Sequence, residues 1–162
     1  MQKNVKYLPL FMDMLQTNKV KYIIEDMELI HSVDSIKLAS EIDRHAARVN
    51  KVQDILIEVN VGGEESKSGI APDQLEELLW QAGQLSHVHV RGLMTIPPVE
   101  GDEKFLYKMQ QLYLDISSKK MDNIDMEILS MGMSGDFATA IRYGSTLVRI
   151  GTALFGARNY QK

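Results

Sequence analysis

The chain has 162 residues, a length that suits one domain, and its 44% hydrophobic and 25% charged residues are ordinary for a soluble globular protein. The net charge of −4 gives no overall support for binding nucleic acid or an anionic membrane. The absence of cysteine excludes disulfides, thiolate metal sites and cysteine nucleophiles. No apolar run approaches the roughly 20 residues that span a bilayer, and no convincing signal-peptide core follows residues 1–4. We therefore expect a cytoplasmic protein.

The predicted elements alternate between strands and helices. Residues 7–12 could form a strand and residues 18–25 a short helix, although both signals are weak. From Leu29 onward the pattern is clear, because short apolar runs alternate with amphipathic stretches. The predicted strands cover residues 29–33, 55–61, 88–96, 128–131 and 147–151.

Four helices are predicted between these strands. Asp34 can cap the first by accepting backbone N–H bonds, and Asp73 opens the second. The fourth covers residues 136–143 and ends at Gly144, a residue type suited to a helix C-terminus. The apolar stripes of the first three helices are Leu38, Ile42, Ala46 and Val49; Leu75, Leu78, Leu79, Ala82 and Leu85; and Phe105, Met109, Leu112, Tyr113 and Ile116.

Strands connected by helical crossovers pair in parallel, and near-continuous apolar strands are typical of a parallel sheet that is buried on both faces. The predicted fold class is therefore α/β. A complete eightfold β/α barrel takes about 250 residues, so 162 residues hold about five or six βα units. The pattern leaves two architectures open, an open doubly wound sheet or a barrel without its first units.

The ends of the last two strands carry the most informative residues. Ser134 and Thr152 supply hydroxyls, and the backbone N–H groups of Met133, Ser134, Gly151 and Thr152 could cradle a phosphate. Barrels commonly place a phosphate site in these loops. The alternative is that Ser134 only caps a helix and Gly151 is only a turn residue.

Arg149 lies within an otherwise apolar strand, where an unpaired charge is costly to bury. One interpretation is that it points into the barrel mouth and contacts a ligand. The other is that it pairs with a carboxylate across the sheet. We favour the ligand, because Gly151-Thr152 follows directly above it.

Four other candidates are weaker. The glycine-rich loop 62–69 follows a strand but lacks the Walker spacing, which favours a solvated, mobile loop. Met94-Thr95 could face a ligand or pack in the core. His87 and His89 share a strand face but have no third ligand, so no metal site is predicted. His31 is interpreted as a core histidine with satisfied hydrogen bonds.

Several segments together resemble a known family. They are Leu15 to Lys19, Ile30 to Ser35, Glu58 to Gly69, Arg91 to Ile96, Leu129 to Ser134 and Val148 to Gly156. In order and spacing, from about Leu15 to Tyr160, the chain resembles the pyridoxal-phosphate homeostasis proteins, also called proline-synthetase-co-transcribed homologues. The fold of that family is similar to the N-terminal barrel of alanine racemase.

The resemblance implies a barrel that binds pyridoxal 5′-phosphate (PLP) at its carboxyl-end mouth. It implies that Ser134 and Gly151-Thr152 hold the phosphate and that Arg149 lies beside the pyridine nitrogen. Arginine stays protonated, with a pKa above about 12, so it would donate to that nitrogen and leave the nitrogen unprotonated. The ring would then be a weaker electron sink, which implies a PLP carrier or regulator and no catalytic residue.

The chain departs from the family in its first residues. Family members begin with a strand ending in a Ser-Lys-Thr-like segment, whose lysine forms a Schiff base with PLP, and a second strand with a Gly-Glu-Asn-like end. Neither segment is present, residues 9–16 match the third strand only at their end, and Lys3, Lys6 and Lys67 do not match the lysine. We therefore expect residues 1–162 to form a single partial alanine-racemase-like barrel domain, lacking about the first two βα units and binding PLP weakly and non-covalently.

Two alternatives of other classes remain open. One is an amino-acid racemase of related fold, which would need a lysine base and usually a tyrosine from a partner subunit. The other is a non-binding remnant, or one piece of a split barrel that a separate N-terminal fragment completes. The oligomeric state is left open.

Overall fold

Strands and helices alternate along the part of the chain that the structure, a computed structural model, describes: residues 8–98 and 103–156. The strands are β1 (Leu10–Phe11), β2 (Leu29–Val33), β3 (Gln53–Glu58), β4 (Val88–Met94), β5 (Ile124–Met133) and β6 (Leu147–Arg149). The helices are α1 (Ile36–Arg48), α2 (Leu75–Ala82), α3 (Glu103–Ser117), α4 (Phe137–Arg142) and α5 (Thr152–Phe155). Two 3-10 helices cover Thr17–Tyr22 and Pro72–Gln74. No described helix is long and apolar enough to cross a membrane.

The six strands form one parallel sheet in the order β1-β2-β3-β4-β5-β6, which is also their order in the chain. A doubly wound sheet reverses its strand order at a switch point, whereas sequential order with helical crossovers is the topology of a β/α barrel. The described residues therefore form a curled, incomplete α/β barrel with β1 and β6 at its edges. The doubly wound alternative is wrong.

The apolar residues of the strands divide between two layers. Most pack outward against the helices, and a smaller inner cluster joins Leu29, Leu56 and Met94 with the half-buried Ile128. This burial on both faces explains why the middle of β3, Ile55 to Ile57, is a continuous apolar run. The largest fully buried side chains are Ile30, Ile42, Ile55, Leu56, Ile57, Leu75, Leu79, Leu93, Met94, Met109, Leu129 and Met131.

Gly92 allows β4 and β5 to approach each other closely. Its φ is +150°, and a Cβ at this position would lie 1.8 Å from the carbonyl oxygen of Ile128. The β4–β5 pairing shifts register between Val90 and Gly92, as expected at a bulge. Only glycine fits this backbone without moving β5, whose end carries candidate site residues.

Several predicted boundaries are wrong for local reasons. Ser35, not Asp34, caps α1, because the Ser35 Oγ accepts the Leu38 N–H at 3.4 Å. Val49 is the C-terminal cap of α1 and is 37% exposed, so it does not belong to the buried stripe. The strand predicted at 55–61 instead covers Gln53–Glu58, and β6 ends at Arg149. The weakly predicted strand at 7–12 appears as β1, although residue 7 lies outside the described residues.

Candidate functional site

An open cleft of about 860 Å³ lies at the carboxyl ends of β5 and β6 and of the edge strand β1. Parallel strands bring their carboxyl ends to the same edge, so residues distant in sequence meet there. The structure brings all five predicted site residues together. The cleft is lined by Met12, Asp13, Met133, Ser134, Gly135, Arg149, Ile150, Gly151, Thr152, Phe155 and Gly156.

Ser134 connects the two loops that form the wall of this cleft. Its Oγ accepts the Gly151 N–H at 3.3 Å and the Ala153 N–H at 3.2 Å. Asp136 lies at the N-cap of α4, whereas the two N–H groups that Ser134 accepts are at the start of α5, so the interpretation of Ser134 as a helix cap applies to α5 and not to α4. Both N–H groups therefore point at the Ser134 Oγ, and this pair of bonds holds the loop after β5 against the start of α5 at one wall of the cleft.

The backbone around this point is open to a ligand. A Cβ built at Gly135 or at Gly151 would meet no atom within 4 Å. Small residues at both positions thus leave space for a bound group to approach the main chain. This observation fits a phosphate better than it fits the interpretation of Gly151 as a turn residue alone.

The backbone N–H of Met133, a predicted phosphate donor, is bonded within the protein. Its backbone N–H donates to the Asp136 Oδ1 at 2.7 Å and is not free for a phosphate in this structure. Its side chain is 38% exposed and contributes to the cleft wall. The Asp136 carboxylate also places a negative charge beside the cleft, which opposes anion binding unless a cation compensates for it.

Arg149 supplies a cation to the same cleft. Its Nη1 donates to the Ser130 carbonyl at 3.0 Å and to the Ser130 Oγ at 2.7 Å, and its Nη2 donates to the Thr95 carbonyl at 2.8 Å. These acceptors are neutral, so the predicted alternative of a carboxylate partner across the sheet is wrong. Burial lowers the pKa of Arg149, and the charges of Glu58 and Asp136 partly offset that effect.

The contacts of Arg149 leave part of its guanidinium unused. Arginine has five N–H donors in a planar fork, and three hydrogen bonds to Ser130 and Thr95 are present. The three bonds fix the plane of the fork against two strands. A side chain that lines the cleft, is held rigidly and retains free donors is well suited to contact a ligand acceptor.

His31 is the functional candidate that the sequence did not reveal. It is fully buried, its Nδ1 lies 3.3 Å from the Ser130 Oγ, and its Nε2 has no hydrogen-bond partner among residues 8–98 and 103–156. The prediction of a satisfied core histidine is therefore wrong for one ring nitrogen. Burial, and then the charge of Arg149, lower the pKa of His31 to about 4. Its only sequence signal was its position inside an apolar strand.

Glu58 is a second buried ionisable group near Arg149. Its carboxylate accepts the Ser68 hydroxyl at 2.6 Å, and burial raises its pKa, with a smaller contribution from Asp34. Ser68 belongs to loop 62–69, which Lys67 also connects to the rest of the protein. The Lys67 Nζ pairs with Glu64 of the same loop at 2.5 Å and donates to the Pro97 carbonyl at 3.3 Å. Lys67 and Ser68 of loop 62–69 are thus engaged with the protein, while Glu65 and Ser66 are exposed, as the prediction of a solvated loop expects.

The other predicted candidates do not line the cleft. Met94 belongs to the inner apolar cluster, whereas the buried Thr95 donates to the Val59 carbonyl at 2.8 Å and supports the cleft indirectly, through the carbonyl that accepts Arg149. His89 contacts Asp54 at 3.2 Å and Asp125 at 2.8 Å. No group of three His, Asp or Glu side chains in residues 8–98 and 103–156 is arranged to hold a metal ion.

Comparisons with known proteins agree with this fold. The family model described as alanine racemase, N-terminal domain, matches residues 6–159. A pyridoxal phosphate homeostasis protein of Aquifex aeolicus is 49% identical over 154 residues, which cover 93% of this chain and 67% of that protein. A solved structure of a protein from Bifidobacterium adolescentis is 35% identical with a TM-score of 0.88, covering 94% of this chain and 62% of the other.

PipY of Synechococcus elongatus PCC7942 has been solved with PLP bound. It is 30% identical with a TM-score of 0.83, over 94% of this chain and 72% of PipY. The fold and the cleft define an alanine-racemase-type β/α barrel. The chain belongs to the alanine racemase N-terminal domain family and, within it, to the pyridoxal phosphate homeostasis proteins. It spans about two thirds of the length of these relatives.

Proposed function

We propose that this chain binds PLP in the cleft between β1, β5 and β6 and takes part in PLP homeostasis. One observation carries the proposal: the Ser134 hydroxyl, the Gly151 N–H and the Arg149 guanidinium converge on one open cleft. The solved complex of PipY with PLP, at a TM-score of 0.83, supports the choice of ligand. Names of relatives such as the Aquifex aeolicus protein support the role in homeostasis.

The phosphate is assigned to Ser134, Gly151 and Thr152. The Ser134 hydroxyl now accepts two backbone N–H groups, and it can rotate to donate to a phosphate oxygen while those N–H groups turn to the same anion. Thr152 adds a second hydroxyl and, as the first residue of α5, an N–H without an intrahelical partner. These donors recognise three phosphate oxygens without a lysine.

Arg149 is assigned to the pyridine nitrogen of the ring. Because an arginine remains charged even when burial lowers its pKa, Arg149 can only donate, and the ring nitrogen remains unprotonated. When bound, PLP supplies an electron-withdrawing ring that stabilises negative charge on an attached amine substrate. Beside an arginine that ability is reduced, which favours storage and transfer of PLP over turnover.

Binding is proposed to be non-covalent in this chain. No lysine lines the cleft within the described residues, and Lys67 is already engaged by Glu64 and Pro97. Reduction with borohydride followed by intact-mass measurement tests this point. We expect no stoichiometric PLP adduct, and a single adduct at one lysine would contradict non-covalent binding.

Equilibrium titration with PLP, followed by fluorescence, tests the proposed site. Loss of one charge-assisted hydrogen bond weakens binding about tenfold or more, and we expect this for Arg149→Ala and Thr152→Ala. Ser117→Ala is the matched control, because its Oγ bonds only the Tyr113 carbonyl on α3. Equal affinity of all three variants and the wild-type chain would refute the site.

The setting of this binding is inferred from composition. We infer a cytoplasmic protein whose partner is a small molecule and not nucleic acid. The chain has no cysteine and a net charge of −4, which suits a reducing compartment and disfavours polyanions. Fractionation of the source cells checks the cytoplasmic location. A filter-binding assay with DNA and RNA checks that nucleic acid does not bind.

A further inference from the structure

A hydrogen-bonded chain runs from the cleft to the buried histidine. The Arg149 Nη1 donates to the Ser130 Oγ at 2.7 Å, and the Ser130 Oγ lies 3.3 Å from the His31 Nδ1. Ser130 and His31 are both fully buried. No water can therefore compete for these bonds, and each bond determines the direction of the next.

The donor and the acceptor in each of these hydrogen bonds follow from the number of available protons. Arg149 is only a donor, so the Ser130 oxygen must accept from it. A hydroxyl has one proton, and Arg149 and His31 are the only partners of the Ser130 Oγ in the described structure. If the His31 Nδ1 also donated, the hydroxyl proton would have no acceptor. The Ser130 hydroxyl therefore donates to Nδ1.

The donation from Ser130 to Nδ1 determines the charge and the tautomer of the His31 imidazole. With Nδ1 as the acceptor, His31 is neutral and carries its proton on Nε2, the atom that has no partner in the structure. A buried N–H without a partner costs about 1–3 kcal/mol. Such a cost persists where another role compensates for it, and among the described residues the ring is hydrogen-bonded to Ser130, which in turn contacts Arg149 of the cleft.

We propose that His31 is a positioning residue, which holds the Ser130 hydroxyl in place as an acceptor for Arg149 and so sets the guanidinium for its contact with the ligand ring. This inference rests on the proposed function of Arg149 and deepens it. It explains why an arginine without a carboxylate partner keeps one orientation. It also accounts for two fully buried polar side chains, His31 on β2 and Ser130 on β5, that lie next to each other.

Titration of the whole protein with PLP tests this series of hydrogen bonds from Arg149 through Ser130 to His31, which we call the relay. We expect His31→Leu to raise the Kd for PLP about fivefold, the effect of one neutral hydrogen bond. His31→Asn places an acceptor near the Nδ1 position, and we expect it to restore affinity to within about twofold. The matched control is His45→Asn, because the His45 ring contacts Glu41 on α1 and not the cleft.

A double-mutant cycle separates the relay from general loss of packing. If His31 acts through Ser130, the Kd of His31→Leu/Ser130→Ala equals that of Ser130→Ala within about twofold. Additive losses, or an unchanged Kd for His31→Leu, would overturn the proposal. Thermal melts identify any variant that fails to fold, and if His31→Leu is one of them, His31→Ala, which also removes the Nδ1 acceptor, replaces it in the cycle.

A measurement without PLP separates this inference from the proposed function. In long-range ¹H–¹⁵N spectra of the ligand-free chain at pH 7, we expect His31 as the neutral tautomer protonated on Nε2. Ser130→Ala is expected to shift both ring nitrogens. An Nδ1-protonated or charged ring would overturn the relay even if PLP binds, whereas absent PLP binding with the expected tautomer would refute the proposed function alone.

Discussion

Lowering the pH should destabilise this protein through His31. The pKa of this buried side chain is lowered from 6.5 to about 4, chiefly because burial disfavours the charged ring and secondarily because Arg149 is nearby. In the unfolded chain the ring takes up a proton below pH 6.5, while in the folded chain it stays neutral until about pH 4. The unfolded state therefore binds more protons in this window, and stability falls as the pH falls.

The size of the effect follows from the two pKa values. Linkage gives about 1.4 kcal/mol for each pKa unit of difference, so the full effect reaches about 3 kcal/mol near pH 4. Between pH 7.5 and pH 5 the expected loss is about 2 kcal/mol. That loss is a substantial fraction of the 5–15 kcal/mol that is typical of single domains.

Glu58 would otherwise obscure this effect. Burial raises its pKa, so its protonation in the folded state begins at a higher pH than in the unfolded chain. Glu58 therefore makes the folded state relatively more stable as the pH falls, the opposite sign to His31. A comparison with His31→Asn, which cannot titrate, removes the contribution of Glu58 because it is common to both proteins.

Urea denaturation at a series of pH values measures the difference. We expect the free energy of unfolding of the wild-type chain to fall by about 2 kcal/mol relative to His31→Asn between pH 7.5 and pH 5. The difference should change little above pH 7, where both states hold a neutral ring. A wild-type-minus-variant difference that is constant from pH 7.5 to pH 5 would refute the reasoning.

Three further predictions concern the fold, and urea denaturation measures each of them. Gly92→Ala should cost at least about 3 kcal/mol or prevent folding, because its Cβ meets a carbonyl at 1.8 Å. Gly135→Ala, whose Cβ meets nothing within 4 Å, should change stability by less than about 1 kcal/mol, and similar losses in both variants would contradict the bulge argument. Ser35→Ala should lower the free energy of unfolding by about 1 kcal/mol, because it removes the cap of α1. An equal loss on replacing Asp34 instead would support the sequence prediction that Asp34 is the cap. Leu56→Ala should cost about 2–5 kcal/mol, since it empties part of the inner cluster, and a loss under 1 kcal/mol would mean that this cluster is loosely packed.

Much of the fold was determined by local sequence patterns. Apolar runs such as Leu29–Val33 and the helical spacing of Leu38, Ile42 and Ala46 encode elements whose hydrogen bonds and buried faces depend on near neighbours. The grouping of Ser134 with Arg149 and Thr152 was also predictable. Each lies at or just beyond the carboxyl end of a strand, and parallel pairing brings such ends together whatever the curvature of the sheet.

Tertiary structure alone decided which atoms pair within that site. The Thr95 carbonyl that holds Arg149 is 54 residues away in sequence, and no periodicity distinguishes it from a carboxylate partner. The relay from Ser130 to His31 spans 99 residues, and the unpartnered Nε2 of His31 results from packing across the barrel. Sheet curvature likewise depends on strand order, which is a property of the whole chain. Sequence patterns therefore predicted which residues meet at the cleft, while their hydrogen-bond directions and protonation states came from contacts between distant segments.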